Sequence, residues 1–292
     1  MSFKNIVRAV VYGIVEMSWR LGHVLVRFVT HPQRDVVHWA SDGRQSVVIV
    51  APHPDDETLG VGGTMWRHIE KGDSVTLIVV TDGCASKANG LSAAEMRLTR
   101  KQEVDELRRM LPVECVFLEY PENHWNDNTL AEALRGPLAG AEIIYAPSCI
   151  DFHPEHVRVA KVVATLVRDD QTIRVYEIGV PLTRHLVNIV ANIEHVARKK
   201  TSQLELYGSQ IDAIRPLKRI HKYGKAYYGL GVIEKFWQVS GGAYRRIMAE
   251  GNWLDRVRSP YRGIRQNPIS DPLSVLIGRQ DRLRLKKLST GL

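Results

Sequence analysis

The chain has 292 residues and a net charge of +8, with 44% hydrophobic and 25% charged residues. That length suits one large domain with an appendage, and the composition excludes a wholly disordered chain, a collagen and a coiled coil. Three cysteines far apart in sequence, Cys84, Cys115 and Cys149, exclude a disulfide framework and a cysteine-rich zinc site.

The segment Phe3–Val29 is apolar but interrupted by Arg8, Glu16, Arg20 and Arg27. At the helical period its polar residues, Asn5, Arg8, Glu16, Arg20, His23 and Arg27, fall in one sector, which predicts an amphipathic helix. The interrupted apolar core and the lack of a small-residue cleavage site argue against a signal peptide. No apolar run reaches the roughly 18–20 residues that a spanning helix needs. Next, Ser46–Ala51 is a continuous apolar run, the mark of a strand buried on both faces. A helical pattern from Thr58 to Glu70 stops at Gly72, and a strand Val75–Thr81 follows. The spacing then predicts a helix over 93–110, strands Glu114–Leu118 and Glu142–Ala146 with a short helix near Leu130–Leu134 between them, a helix Pro154–Val167 and a strand Ile173–Ile178. This alternation predicts an α/β fold: an open, Rossmann-like, mostly parallel sheet with helices on both faces and ligands at the carboxyl ends of the strands. No GxGxxG follows the first strand, so no dinucleotide site is expected. From Asn188 the pattern reads helical (Ile193–Leu206), then aromatic and glycine-rich from Tyr207 to Tyr244, and the end reads as a poorly ordered or docking tail. The expected divisions are 1–45, the amphipathic helix and a linker; 46–250, the folded domain; and 251–292, a basic tail.

Charge is concentrated at the ends. Met1–Thr30 holds four basic residues against Glu16, and Gly251–Leu292 holds nine against three aspartates, so the body between them is near neutral at −1. A nucleic-acid reader would carry the charge on its folded domain, so no nucleic acid is expected as a partner. Basic ends with an amphipathic helix suit an anionic membrane surface. Packing of that helix on the body or on a second copy, giving a homo-oligomer, is the competing reading. The expected location is the cytoplasm, with the inner face of the membrane as its refinement.

The chemistry gathers after two strand ends. The first strand runs into Pro52-His53-Pro54-Asp55-Asp56-Glu57, and the strand Glu142–Ala146 leads to Asp151-Phe152-His153-Pro154-Glu155-His156. A helix cap accounts for one aspartate, not for a histidine beside adjacent acids. Histidines three apart at a helix start can face one point, and histidine with carboxylate suits a divalent metal. Both motifs lie at one sheet edge, which predicts a metal site there.

These motifs resemble those of the PIG-L/LmbE-like zinc-dependent N-deacetylases, which remove N-acetyl groups, typically from N-acetylglucosamine units. The family's Ala-His-Pro-Asp-Asp-Glu is matched by Pro52–Glu57 and its His-Pro-Asp-His by His153–His156, with Pro52 and Glu155 as departures at positions that are not ligands. Weaker likenesses are Thr81-Asp82-Gly83, Arg100 with Glu103, Lys200 with Tyr207, Ser209 and Gln210, and Glu234 with Phe236. The likeness covers about 47–247. It implies that His53, Asp56 and His156 bind Zn2+, that Asp55 is the general base, that His153 stabilises the oxyanion as an imidazolium, and that Arg100 binds substrate. Fe2+ is an alternative occupant of such a ligand set. The implied substrate is an amino sugar, free or as a glycolipid. Other readings are a metal-dependent amidase on another amide, such as a thiol conjugate, and a non-catalytic carbohydrate-binding protein of the same fold. Arg100 could instead pair with Glu103 or Asp105. His124 and Trp125, after the third strand, read as a surface turn or as a wall of a sugar pocket.

Overall fold

The computed structural model describes residues 36–151, 153–180, 182–211, 230–250 and 279–290, with positions 14, 17, 18, 21, 22, 24, 25 and 228. Most of the expected Phe3–Val29 helix lies outside these; its described positions are helical. A two-residue strand, β1 (Val37–His38), precedes the apolar run that forms β2 (Ser46–Ala51), buried from Val47 onward. There follow α1 (Asp56–Lys71), β3 (Ser74–Thr81), α2 (Ala93–Met110), β4 (Glu114–Tyr120), α3 (Asp127–Gly140), β5 (Ile143–Pro147), α4 (Pro154–Leu166) and β6 (Thr172–Tyr176).

The alternation expected from the sequence holds to this point, and the ends of the helices obey local chemistry. Gly72 closes α1 in the left-handed region (φ 78°), returning its N–H to His68 and Ile69 carbonyls, a conformation that glycine reaches without a Cβ clash. Ser92 and Glu95 form a reciprocal capping box at the start of α2, worth about 1 kcal/mol. Pro154 opens α4, where its missing N–H costs nothing.

Beyond β6 the helix expected over Ile193–Leu206 is present from Ala197 to Leu206, but two strands stand where none was expected. The chain forms a short α5 (Thr183–Leu186), then β7 (Ile189–Asn192), then α6 (Ala197–Leu206), β8 (Ile233–Ser240) and α7 (Gly241–Ala249). Strand β7 has four residues, too few for a period to stand out. Strand β8 lies in the aromatic stretch whose alternation is masked by two-sided burial. The described strands form one sheet in the order β1-β7-β8-β6-β5-β2-β3-β4. From β6 to β4 every pairing is parallel, and β8 runs antiparallel to β6 and β7. One apolar cluster lies on each face. In the basic tail, α8 (Arg279–Thr290) packs against α7 and α5, with Leu285 fully buried in one cluster.

Helix α1 lies unusually close to its neighbours. A Cβ at Gly60 would come within 2.3 Å of the Tyr176 ring, and one at Gly63 within 2.6 Å of Ile193. The buried Glu234 carboxylate accepts the N–H groups of Gly63 (2.8 Å) and Thr64 (2.7 Å) and pairs with Lys200 (2.6 Å), which donates to the Leu59 carbonyl. The middle of α1 is thereby tied to β8 and α6. Strand β2 sits between β5 and β3, where the direction of winding reverses, the place at which such sheets leave a crevice. Among the described residues no helix is long and apolar enough to cross a membrane.

Candidate metal centre and active site

Strand β2 delivers Pro52–Asp55 to the crevice and β5 leads to Asp151 and His153. Asp55 turns the chain into α1 with φ 110° and ψ −26°, a left-handed conformation rarely taken by a non-glycine residue. That turn aims Asp55 and Asp56 into the same space. His53 Nδ1, Asp56 Oδ2 and His156 Nε2 form a nearly equilateral triangle: 3.1 Å between His53 and Asp56, 3.2 Å between His53 and His156, and 3.2 Å between His156 and Asp56.

Three lone-pair-bearing atoms so close need a shared partner. A proton joins only two of them. A tetrahedral metal with bonds of about 2.0–2.1 Å spaces its donors by roughly 3.3–3.4 Å, and the triangle is close to that. The donor set, two imidazoles and a carboxylate, fits a divalent metal such as zinc. His153 brings a nitrogen into the same space, the donors of His53, His153 and His156 lying within 4.8 Å of one another. Its Nδ1 has no hydrogen-bond partner among the described residues.

Carboxylates back both histidines of the triangle. His156 Nδ1 lies 3.1 Å from Asp151 Oδ2, and Asp151 is itself held by the N–H groups of His153 (3.0 Å) and Gly179 (3.2 Å). His53 Nε2 faces Glu122 Oε1 at 3.5 Å. Such partners fix ring orientation and raise ligand basicity. The sequence reading missed Glu122, although its place after β4, at the same sheet edge, was a usable signal.

The adjacent aspartates diverge electrostatically. Burial opposes the charge of Asp56, but His156 and His53 prevail and hold its pKa well below the ordinary value. Burial raises Asp55 to about 7, with Arg100 opposing and Asp56 adding to the rise. For His53, hydrogen bonds to Asp56 and Glu122 overcome burial and raise the pKa to about 9. For His153, burial and then the rings of His53 and His156 push it down to about 4. These surroundings favour a neutral His153, where the family likeness implies an imidazolium.

Arg100 is only 4% exposed. Its Nη1 and Nη2 lie 3.3 and 3.4 Å from Asp55 Oδ2, and Glu103 stands 3.8 Å away. The pairing with Glu103 thus holds and that with Asp105 does not; Asp105 pairs with Arg108. Trp125 is buried, its indole N–H reaching both oxygens of Glu155 at 3.0 and 2.9 Å, while Arg158 covers its ring at 3.8 Å. It fastens the loop after β4 to the start of α4. Burial raises the Cys149 thiol to about 12 and the Cys115 thiol to about 11, so neither supplies a thiolate nucleophile.

Residues 48–167 match the model of the PIG-L family, described as GlcNAc-PI de-N-acetylase. The chain is 32% identical over 73 residues to a diacetylchitobiose deacetylase of Thermococcus kodakarensis, covering 25% of this chain and 27% of that protein. It is 24% identical over 191 residues to a probable N-acetyl-alpha-D-glucosaminyl L-malate deacetylase 2 of Bacillus subtilis, covering 59% of this chain and 86% of that protein. Among solved structures, N,N'-diacetylchitobiose deacetylase from Pyrococcus horikoshii shares the fold, with a TM-score of 0.57 and 22% identity, covering 68% of this chain and 85% of that one. The match thus spans about a quarter of the Thermococcus protein and most of the Bacillus one.

Proposed function

We propose that this chain is a metal-dependent N-deacetylase that hydrolyses the acetamide of an N-acetylglucosamine-type substrate. The observation that carries this reading is the 3.1–3.2 Å triangle of His53, Asp56 and His156, with a second carboxylate, Asp55, next in the chain. The names of the relatives support the amino-sugar substrate. Zn2+ held by His53, Asp56 and His156 would polarise the amide carbonyl and lower the pKa of water to about 7; Fe2+ suits the same donors.

The remaining work falls to the chain's own groups. Asp55 takes the proton that the attacking water loses as its oxygen bonds to the carbonyl carbon. Its elevated pKa suits a base that must accept and return protons near neutrality. His153 offers a ring N–H to the carbonyl oxygen while negative charge builds there. The C–N bond then breaks, the amine leaves with the proton that Asp55 took from water, and acetate remains. Arg100 holds the Asp55 carboxylate in line, and its burial favours this role over direct contact with substrate. The test is acetate release from a panel of N-acetyl sugars, including nucleotide- and lipid-linked ones, with and without chelator. Zinc-dependent release supports the reading. Turnover of bulkier amides in place of acetamides would redirect it to a different amide, and silence across both panels would favour a non-catalytic carbohydrate-binding protein.

We also infer a cytoplasmic location with a peripheral position on the anionic inner face of the membrane, and a lipid-linked amino sugar as substrate. Supporting this, Ile14, Met17, Leu21, Val24 and Leu25 are 49–67% exposed and share a helical arc of about 100°. Arg8, Arg20 and Arg27 fall outside that arc, on the polar side. Full-length protein should float with anionic vesicles at low salt, while a chain beginning near Pro32 should not. If neither floats, the helix is a packing element of the protein or of a homo-oligomer.

A further inference from the structure

We propose that the Tyr207–Gln210 segment is a positioning clamp for Asp55, with Tyr207 acting through Glu57 on its backbone and Ser209 acting through Glu103 and Arg100 on its carboxylate. The inference rests on the reading of Asp55 as general base. Asp55 has to be held in its left-handed conformation, because relaxation would swing its carboxylate away from the metal triangle. Its N–H donates to Glu57 Oε2 at 3.1 Å. The other oxygen of Glu57 accepts the hydroxyls of Thr58 and Tyr207, each at 2.6 Å. Glu57 and Tyr207 are both fully buried, so no water substitutes for a lost partner. Tyr207 thus fastens the carboxylate that fastens the Asp55 backbone.

Two residues further on, the same segment reaches the opposite side of Asp55. Ser209 donates its N–H and its hydroxyl to Glu103 at 2.7 and 2.9 Å. Glu103 lies 3.8 Å from the Arg100 guanidinium, which holds Asp55 Oδ2. Gln210 donates to Ser209 Oγ at 3.2 Å. The hydrogen bonds of Tyr207 and Ser209 go to Glu57 and Glu103, so both act on Asp55 as positioning residues. A general base displaced by about 1 Å loses about 10²-fold in rate, which is why a clamp matters here.

The test uses the full-length, zinc-loaded chain and the variants Tyr207→Phe, Ser209→Ala, Glu57→Gln and Glu57→Ala. Tyr207→Phe and Ser209→Ala should each lower kcat by about 10–100-fold, with KM and zinc content near wild type. Glu57→Gln keeps an oxygen for the Asp55 N–H, so it should retain more activity than Glu57→Ala. Amide hydrogen exchange over 53–58 should accelerate in Tyr207→Phe. Wild-type kcat with wild-type exchange in Tyr207→Phe overturns the proposal, as does a loss of kcat matched by an equal loss of zinc. A fall in Tm with kcat unchanged would leave the segment a fold element only and also overturn it. Should Tyr207→Phe fail to fold, Ser209→Ala decides by the same readouts. A wild-type chain releasing no acetate would sink the hydrolase reading, while the exchange measurement would still decide whether the clamp exists.

Discussion

Helix α1 has buried histidine chemistry near each end, a single ring at one and three at the other, and the two are built on opposite principles. Toward its C-terminus His68 is closed. Its Nδ1 meets Asp73 at 2.6 Å and its Nε2 meets the Tyr145 hydroxyl at 2.9 Å, which in turn takes Arg174 at 2.7 Å. Asp73 is completed by Ser41 at 2.5 Å and the Gln45 N–H at 2.9 Å. At the N-terminus the donors of His53, Asp56 and His156 converge on a common point. Burial lowers the His68 pKa to about 4 despite Asp73, whereas carboxylates raise His53 to about 9. A buried histidine with both nitrogens satisfied is a fastening, and several aimed at one space make a site.

That contrast breaks most visibly on substitution. His53→Ala, Asp56→Ala and His156→Ala should each remove bound zinc and activity together, as should chelation of the wild type. His68→Gln should leave zinc stoichiometry intact. Elemental analysis beside an acetate-release assay checks both halves, and stoichiometric zinc in His156→Ala would remove that residue from the ligand set. Next in size is Asp55→Asn, which should retain zinc and lose about 10²–10⁴-fold in kcat. His153→Ala should lose about 10²–10³-fold, in kcat far more than in KM, because the charge it meets exists mainly in the transition state. Equal kcat values for His153→Ala and wild type would make His153 structural.

The smallest effect sharpens the other half of the comparison. His68 has a folded pKa of about 4 against an ordinary 6.5, so the unfolded chain binds more protons between these values. Its contribution to stability is therefore complete above pH 6.5 and is lost as pH falls toward 4, by up to about 3 kcal/mol. Urea titrations across that window should show a shallower pH slope for His68→Gln than for wild type. Parallel slopes would mean that His68 is protonated in the folded protein.

Much of this was legible in the chain. Continuous apolar runs predicted β2, β3 and β5, and the 93–110 helix agrees in both bounds with α2. The His-Pro-Asp-Asp-Glu and His-Pro-Glu-His motifs were legible because the ligand candidates are packed into short stretches at strand ends. Strands β1 and β7 were missed because two and four residues carry no period. Strand β8 was missed because a strand covered on both faces loses its alternation. Tyr207 and Glu57 are 150 residues apart, and no local pattern links them.

The sequence alone determined the alternating α/β order and the two chemical motifs, because hydrophobic period, caps and residue type are properties of neighbours in the chain. Only the tertiary structure decided that Asp55 takes a left-handed turn between Arg100 and Glu57, that Glu122 and Asp151 stand behind the two histidines, and that His68 is a fastening. Those outcomes depend on which distant side chains share a buried space. In that space the partner that arrives, not the residue's own chemistry, sets charge and orientation.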